Sequence, residues 1–377
     1  MDFRLSTAIL SSMSIVTILL FLLILLILVI VHEFGHFIVA KMTNMRVDEF
    51  AFGFPPKLYS KKKGETKYVI NALPLGGYVS IWGENGEVND EAKNHHRAFG
   101  NRPYWAQLAV LFAGVFMNLV LAWVIFIGTS YGKTEISKSD IDYGPKIKST
   151  YLVVMDASPN SPAFKAGIVP GTTILKVSNG NKDAHLTDAT SLINFITENE
   201  NDPFTIIYKN NNGVTASTTI SAVYGIVPNK KAIGISVDEV GIFNANIIDA
   251  IKIGTSQTYN ITALTINGLH TLATSLLKGE SVISSLSGPI GIAKVVGQTS
   301  NYGYKAILTL VAILSINLAI FNVLPLPALD GGRIVVVLAE TILRKKIPIK
   351  YYSWVNAIGF ILLILLLVVV TIHDVKG

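Results

Sequence analysis

The chain has 377 residues, of which 50% are hydrophobic and only 15% are charged, and its formal net charge is +6. Soluble globular proteins carry about 25% charged residues, so this composition excludes an ordinary soluble protein and indicates a membrane protein. The absence of cysteine excludes disulfides and thiolate metal ligands. The basic residues are concentrated in short loops, which disfavours a nucleic-acid partner.

Four apolar runs are long enough to cross a bilayer, which takes about 20 helical residues. The first run, Ile15–Val31, is too long for the core of a signal peptide, and no small-residue cleavage site follows it. We therefore expect it to remain as a transmembrane helix. The other spans are expected at Trp105–Ile127, Tyr304–Leu324 and Val355–Ile372.

The distribution of lysine and arginine predicts the orientation of the spans. Residues 41–102 contain ten of these side chains and residues 333–350 contain five. Loops rich in lysine and arginine stay in the cytoplasm. Both segments are therefore expected to be cytoplasmic, with both termini and the long insert after the second span outside.

Two histidines and a glutamate interrupt the cytoplasmic end of the first span in the sequence HEFGH. His32 and His36 are four residues apart, so they share one helix face, and with Glu33 they form the zinc-enzyme pattern H-E-x-x-H. Glu33 is then placed to accept a proton from the attacking water. Ionisable groups are costly in a membrane, which favours a metal over a polar cluster that only joins helices. Gly35 would let a second backbone approach closely.

Residues 51–79 contain two strand-like segments around a Lys-Gly turn. They predict a β-hairpin, and an edge strand there could clamp an extended chain. The alternative is a plain cytoplasmic hairpin.

Residues 133–240 form a polar insert with short β-branched runs separated by Gly, Pro and Asn. One helix is expected at 187–199, capped by Thr187 or Asp188. The pattern predicts a soluble α+β module of ordinary domain size. The predicted strands are 150–156, 172–179, 204–210, 215–225 and 232–238.

Part of this insert resembles the PDZ family in its Ser-Pro-Ala, Ala-Gly-Ile and Pro-Gly elements at 161–171, although Thr172 replaces the usual aspartate. The resemblance implies a module that receives a peptide terminus as an added edge strand. The alternative is a spacer or a steric cap.

The segment between the insert and the third span has a helical pattern with one polar face at 245–277. We interpret it as an interfacial amphipathic helix rather than a span. The sequence LSGPIGIAK then breaks the pattern before the third span.

The sequence NVLPLPALDGGR, residues 322–333, supplies a candidate for the third metal ligand. Pro325 and Pro327 should end the third span, because neither can continue a helix. Gly331 and Gly332 are expected to give the backbone freedom just beyond Asp330. Asp330 then either completes a His-His-Asp site or caps the apolar helix that follows.

HEFGH in the first span, combined with NVLPLPALDGG at the end of the third, resembles the site-2 protease family of intramembrane zinc metalloproteases. ALPLGGYVSIWGE and LSGPIGI also match elements of that family. The similarity is strongest to the bacterial regulator-of-sigma-E protease type. That type often has two tandem PDZ domains, whereas this insert has room for one.

The resemblance implies a Zn²⁺ ion bound by His32, His36 and Asp330, with Glu33 as the catalytic glutamate. It also implies a set of residues that hold the unwound segment of a substrate, with interhelical hydrogen bonding as the alternative role for the two asparagines. This set is Asn317, Asn322, Pro325 and Pro327.

The expected fold is a polytopic α-helical membrane protein with about four transmembrane helices, a membrane-associated β-hairpin and an inserted α+β PDZ-like domain. Four segments follow: 1–132, an N-terminal membrane core; 133–240, the extracytoplasmic PDZ-like domain; 241–303, an interfacial linker; and 304–377, a C-terminal membrane core.

The expected function is regulated intramembrane proteolysis in the bacterial inner membrane. The substrates would be single-span membrane proteins, such as pre-cleaved anti-sigma factors or signal-peptide remnants, cut within or near their transmembrane segments. Two rivals are a membrane-anchored zinc protease of the soluble type and a non-catalytic scaffold that works through its PDZ-like module.

Overall fold

A computed structural model of the chain describes residues 14–84, 95–140, 143–147, 149–180, 183–186, 188–211, 213–227, 230–280, 282 and 286–376. The chain divides into two compact units. The membrane unit is Met1–Gly128 with Ile253–Gly377, and the sheet unit is Thr129–Lys252. The predicted location of the two chain ends falls on residues 1–13 and 377, which lie outside the described residues.

The helices of the described residues are numbered here in chain order. They are α1 (Ile15–Met42), α2 (Tyr104–Ser130), α3 (Pro162–Lys165), α4 (Ala189–Glu198), α5 (Ile247–Leu277), α6 (Pro289–Ser300), α7 (Tyr304–Val323), α8 (Asp330–Leu343) and α9 (Ile349–Lys376).

Four of these helices, α1, α2, α7 and α9, are long and apolar enough to cross a membrane. These four helices match the four predicted spans, and each extends at most about three turns beyond the bounds predicted for it. Residues 247–277 of the predicted segment 245–277 form the helix α5, which is not among the candidate spans. Its interfacial location stays a prediction.

The helix α7 packs between α1 and α2. On one side, Ile24 and Leu28 of α1 share a buried cluster with Val311 of α7. On the other side, Phe126 of α2 packs with Ile316 of α7. These clusters join three of the candidate spans, and α7 keeps exposed apolar side chains, such as Leu308 and Phe321, on the rest of its surface.

The α1 and α2 backbones approach each other closely at Gly35. A Cβ atom at this position would lie 2.3 Å from the carbonyl oxygen of Ala113. The prediction that Gly35 admits a neighbouring backbone is therefore confirmed.

The segment after α1 is a β-hairpin of β1 (Val47–Lys63) and β2 (Thr66–Ile81), as predicted from the Lys-Gly turn. Lys63 pairs with Thr66 next to the turn. The first half of β1 is largely buried and its second half is exposed. Val47 and Ile81, at the base of the hairpin, pack with residues of α1, α2 and α8.

The sheet unit is an α+β fold around a seven-stranded sheet. Its strands are β3 (Gly132–Ser137), β4 (Tyr151–Ala157), β5 (Thr173–Ser178), β6 (Asp183–His185), β7 (Phe204–Lys209), β8 (Thr215–Ile220) and β11 (Ile235–Ala245). Six of them run in the order β3-β11-β4-β5-β7-β8, and β6 pairs with β5. A separate pair is formed by β9 (Val223–Val227) and β10 (Lys230–Ala232).

The predicted helix and strands of this unit are found, with two differences, and β3, β6, β10 and α3 were not predicted. The predicted strand 232–238 is displaced toward the C-terminus, because β11 runs from Ile235 to Ala245. The run 215–225 forms two strands, β8 and β9, instead of one. Asp188 caps α4, accepting a hydrogen bond from the Ser191 amide at 2.7 Å, while the alternative cap Thr187 lies outside the described residues. Leu192 and Phe195 of α4 pack into the core of the sheet.

Candidate metal centre

The two histidines of HEFGH are buried in the membrane unit, with exposed fractions of 6% for His32 and 8% for His36. Because they are four residues apart on α1, their rings lie in consecutive turns on one face. The ring centroids are 4.7 Å apart and the two Nε2 atoms are 3.1 Å apart. Each ring therefore directs its Nε2 atom toward the same point.

Asp330 lies at that point although it is 298 residues from His32 in the chain. One carboxylate oxygen, Oδ2, is 2.9 Å from His32 Nε2 and 3.3 Å from His36 Nε2. Asp330 is the first residue of α8, and the cap residue of this helix is Leu329, with no side-chain cap hydrogen bond. The structure thus groups Asp330 with the histidines and does not use it as a helix cap.

This donor set fits a zinc ion. Zinc–ligand bonds of about 2.0–2.2 Å at tetrahedral angles put ligand atoms about 3.3 Å apart. The three candidate ligand atoms lie within 4.8 Å of one another, and their closest separations are 2.9–3.3 Å. Two nitrogens and one carboxylate oxygen leave one tetrahedral position for water or substrate, as catalytic zinc sites require.

The helix α2 lies directly against the two rings at Gly114. A Cβ atom there would lie 2.5 Å from His36 Nε2 and 2.7 Å from His32 Cε1. Four residues earlier, the carbonyl oxygen of Val110 lies 2.8 Å from His36 Nδ1. A hydrogen bond at Nδ1 fixes the ring orientation and leaves Nε2 to bind a metal.

Glu33 projects from α1 toward the hairpin. Its Oε2 accepts a hydrogen bond from the backbone N–H of Val79 in β2 at 3.0 Å. A Cβ atom on Gly77, also in β2, would lie 3.9 Å from Cγ of Glu33. The hairpin therefore contacts the glutamate of the HEFGH segment directly.

The glycine pair after Asp330 has a different role from the predicted one. Gly331 and Gly332 lie inside α8, and neither has a positive φ. A Cβ on Gly331 would lie 2.1 Å from the carbonyl oxygen of Leu324, and one on Gly332 would lie 2.4 Å from that of Leu326. The expectation of backbone freedom is wrong, because these positions instead need a residue without a side chain where two backbones meet.

The segment that carries Asp330 is held from two sides. Asn356 of α9 accepts a hydrogen bond from the backbone N–H of Ala328 at 2.6 Å, where φ is +72°. Arg333 of α8 donates to the Glu84 carboxylate and also to the Glu84 carbonyl oxygen, the second contact at 2.8 Å. These contacts fix the start of α8.

The predicted substrate-holding residues lie at the end of α7 and in the loop after it. Asn317 accepts a hydrogen bond from the Thr265 hydroxyl of α5 at 2.9 Å, which is the interhelical alternative. Asn322 and Pro327 are half-buried, and Pro325 is exposed. As predicted from Pro325, α7 ends before it, at Val323.

Sequence reasoning missed several residues around the site. Asn118 is fully buried next to His32, and its position inside an apolar run was a usable signal, because polar groups at membrane depth are costly. Gly114 gave no such signal. Glu84 and Arg333 are 249 residues apart, and nothing in one sequence pairs them.

Comparison with known proteins places the chain in a family. A profile described as Peptidase family M50 matches residues 20–366. A Clostridium perfringens protein described as a candidate zinc metalloprotease is 36% identical over 347 residues, which cover 92% of this chain and 94% of that protein.

Two further relatives carry protease names. The zinc metalloprotease RasP of Oceanobacillus iheyensis is 28% identical over 427 aligned positions, covering 92% of this chain and 95% of its own length. The regulator of sigma-W protease RasP of Bacillus subtilis is 28% identical over 423 positions, covering 92% and 94%. The chain therefore belongs to Peptidase family M50, the site-2 protease family, and is an intramembrane zinc metalloendopeptidase.

Proposed function

We propose that His32, His36 and Asp330 are the zinc ligands of this protease and that Glu33 is its general base. The observation that carries the proposal is the convergence of three ligand atoms from two distant motifs inside a bundle of candidate spans. Because the helix with both histidines is itself a candidate span, a membrane-anchored protease of the soluble type is disfavoured.

A zinc ion held by His32, His36 and Asp330 would supply a Lewis acid, able to polarise the scissile carbonyl and to activate water near neutral pH. Glu33 accepts the proton of the attacking water and passes it to the leaving amine. The hydrogen bond from the Val79 amide to Glu33 orients the carboxylate for that transfer.

The substrate segment must be extended before it is cut, because the amides of a transmembrane helix are already hydrogen-bonded. We propose that Asn317 and Asn322 bind this segment, since an amide offers both a donor and an acceptor. Asn317 would exchange its hydrogen bond with Thr265 for one with the substrate. Pro325 and Pro327 keep the neighbouring loop extended, because proline cannot continue a helix.

The hairpin is proposed to clamp the extended segment by strand addition. Among the described residues β1 and β2 pair only with each other, and residues 49–52 of β1 have β2 partners on both sides, so a substrate strand can add only at an outer edge of the hairpin. Its strand β2 contacts Glu33, so a chain added to this hairpin would lie close to the proposed base.

The sheet unit is proposed to be a PDZ-like domain, spanning about 133–240, that selects substrates. Its strand β11 pairs with β4 through 235–240 and with β3 only through 240–245. Within the described residues, the edge at 235–238 opposite β4 has no partner strand, and the amide of Ala189 at the start of α4 donates to Glu239 of β11. A peptide terminus can add at this edge, or the domain can exclude bulky substrates without binding.

The proposed location is the bacterial inner membrane, with the sheet unit and both termini outside and the metal centre near the cytoplasmic side. The support is the excess of basic residues in the two loops. Reporter fusions after Lys63 and Arg344 should report cytoplasm, and fusions within 133–240 should report the exterior. The reverse pattern would overturn this orientation.

The proposed substrates are single-span membrane proteins already trimmed outside, with anti-sigma factors and signal-peptide remnants as the leading classes. A relative named as a regulator of sigma-W protease supports the first class. Comparing the membrane proteomes of cells with active enzyme and with Glu33→Gln would identify the substrates, which should accumulate in the variant.

The deciding experiment is the Glu33→Gln variant, reconstituted in liposomes with a single-span substrate. We expect wild-type zinc content and a turnover lowered by about 10²- to 10⁴-fold, because the water loses its base. Glu280→Gln, at an exposed position outside the site, is the control and should retain full turnover. Full activity in Glu33→Gln would reject the proposed chemistry, and a wild-type enzyme without any cleavage would favour the scaffold alternative.

A further inference from the structure

The side chain of Asn118, in the middle of α2, is buried between the helices of the metal centre. It is 0% exposed, and the atom assigned as its amide nitrogen, Nδ2, lies 3.3 Å from His32 Nδ1. The other end of this amide, assigned as the oxygen, is buried without a hydrogen-bond partner among the described residues. The backbone at this position is fixed, because the Ser315 hydroxyl donates to the Asn118 carbonyl oxygen at 2.8 Å.

The protonation of the His32 ring determines what this contact must be. His32 directs Nε2 toward His36 and Asp330. A neutral imidazole that binds a metal through Nε2 carries its hydrogen on Nδ1. The group next to His32 Nδ1 must therefore accept a hydrogen bond. A donor at this position would select the opposite tautomer, in which Nε2 carries hydrogen and cannot bind the ion.

The oxygen of Asn118 is the acceptor that satisfies this requirement. The nitrogen and oxygen of a side-chain amide differ little in shape, and their assignment follows from the hydrogen bonds that they make. In the assigned orientation the far end of the amide has no hydrogen-bond partner among the described residues, so no contact there opposes a half-turn and the contact with His32 decides the orientation. Rotating the amide by half a turn places Oδ1 against the Nδ1–H of His32.

A regular pattern on α2 supports this assignment. Val110, Gly114 and Asn118 are spaced four residues apart, so they lie along one face of the helix. The first provides a carbonyl oxygen to His36 Nδ1, and the second provides the space for both rings. With its amide rotated by half a turn, the third provides its side-chain oxygen to His32 Nδ1 in the same way.

We propose that Asn118 is a positioning residue that accepts the Nδ1–H of His32 through Oδ1 and so holds the ring in its metal-binding tautomer. The inference rests on the proposed role of His32 as a zinc ligand and adds the group that prepares it. Residues that hydrogen-bond to a metal ligand in this way typically contribute 10- to 100-fold to metal affinity.

Two substitutions of similar volume test the proposal in the purified full chain. Asn118→Asp keeps an acceptor and removes the amide donor, whereas Asn118→Leu removes both. The measurement is zinc affinity, by competition with a chromophoric chelator. We expect Asn118→Leu to bind zinc about 10- to 100-fold more weakly and Asn118→Asp to stay within a few-fold of wild type. Turnover should follow the same order.

The control is Gln107→Leu, which removes another buried amide of α2 whose contact is the Arg102 carbonyl oxygen and not the histidines. It should leave zinc affinity unchanged. If Asn118→Leu does not fold, Asn118→Asp still tests the proposal, because zinc affinity lowered tenfold or more in that variant would show that an acceptor at this position is not what His32 needs. An Asn118→Asp variant as weak as Asn118→Leu, or an Asn118→Leu variant as strong as wild type, overturns the proposal.

The variant His32→Ala separates this inference from the proposed function. If His32→Ala retains zinc, the ligand set itself is wrong. If His32→Ala loses zinc while Asn118→Leu retains it with unchanged affinity, the ligand set stands and only the positioning role of Asn118 fails.

Discussion

The two units of the chain bury polar groups in different ways. In the sheet unit, the buried side chains with polar groups among the described residues are Ser130, Ser161, Thr172, Tyr143 and Tyr208, and none is a carboxylate, an amine or an imidazole. In the membrane unit they include His32 and His36, within hydrogen-bonding distance of other side chains or backbone groups. Both units have apolar cores, but among the described residues only the membrane unit also buries imidazole and carboxylate groups in specific contacts. Single changes at His32, His36, Asp330 and their neighbours should therefore act on chemistry, whereas changes in the sheet unit should act on stability or selection.

The largest effect is expected from Asp330→Ala, which removes a proposed ligand. Zinc affinity should fall by more than the 10- to 100-fold that is typical when a residue hydrogen-bonded to a metal ligand is removed, and turnover should be lost. Asp374→Ala is the matched control, because Asp374 accepts backbone hydrogen bonds from Gly288 and Gly291 at the start of α6. It should lower stability by about 1 kcal/mol and leave zinc bound. Unchanged zinc affinity in Asp330→Ala would assign the third ligand to another group.

A smaller effect is expected from Gly114→Ala. The added methyl group would overlap both histidine rings, and overpacking of this kind costs about 1–3 kcal/mol, so zinc affinity should fall about tenfold or more. Gly128→Ala, in the same helix but with open space around its Cβ position, should bind zinc as the wild type does. Equal zinc affinity of the two variants would contradict the close contact between α2 and the rings.

Removing most of the sheet unit tests whether this unit selects substrates without contributing to the metal centre. Replacing residues 132–245 by a flexible Gly-Ser linker should leave zinc affinity unchanged, since all proposed ligands lie in the membrane unit. Cleavage of a long-ectodomain substrate should rise relative to its short-ectodomain version. If the shortened enzyme discriminates between the two as strongly as the full chain, selection must reside in the membrane unit.

The smallest effect is expected at the ion pairs that join the hairpin turn to its surroundings. Hydrogen bonds from Arg97 at 2.7 Å, and from Lys41 at 2.5 Å, lower the pKa of Glu65 from its ordinary 4.5 to about 2, against the opposing effect of burial. The folded state therefore favours the charged carboxylate. Its contribution is complete above pH 4.5 and is lost as the pH falls toward 2.

Thermal unfolding at a series of pH values measures this contribution. Partly exposed ion pairs stabilise by about 0–1 kcal/mol, so the wild type should lose slightly more stability than Glu65→Gln between pH 4.5 and pH 2. Glu280→Gln is the control and should follow the wild type. A larger acid-induced loss in Glu65→Gln than in the wild type would contradict the sign of the shift.

Much of the fold could be predicted because its signals are local. Apolar length predicts the four spans, and β-branched runs predict most strands of the sheet unit. The spacing of His32 and His36 predicts their shared face, because a helix has a fixed period. The turn at Gly64 predicts the hairpin in the same way.

The contacts between distant helices could not be predicted, because one sequence contains no distances between its helices. Asn118 and Gly114 meet the histidines only after α1 and α2 have packed, and Asn356 reaches Ala328 only when α9 is in place. The role of Gly331 was misjudged for the same reason. A glycine that avoids a collision cannot be distinguished in sequence from one that permits a turn.

The hydrogen bond between Val79 and Glu33 has a further consequence. The strand β2 belongs to the hairpin proposed to receive the substrate, and it also holds the carboxylate proposed to start the reaction. Any movement of this strand alters the hydrogen bonding of Glu33. If the hairpin receives the substrate as proposed, occupancy of the clamp and orientation of the base would be coupled through one backbone amide. A protease surrounded by membrane proteins would then remain idle until a suitable chain arrives.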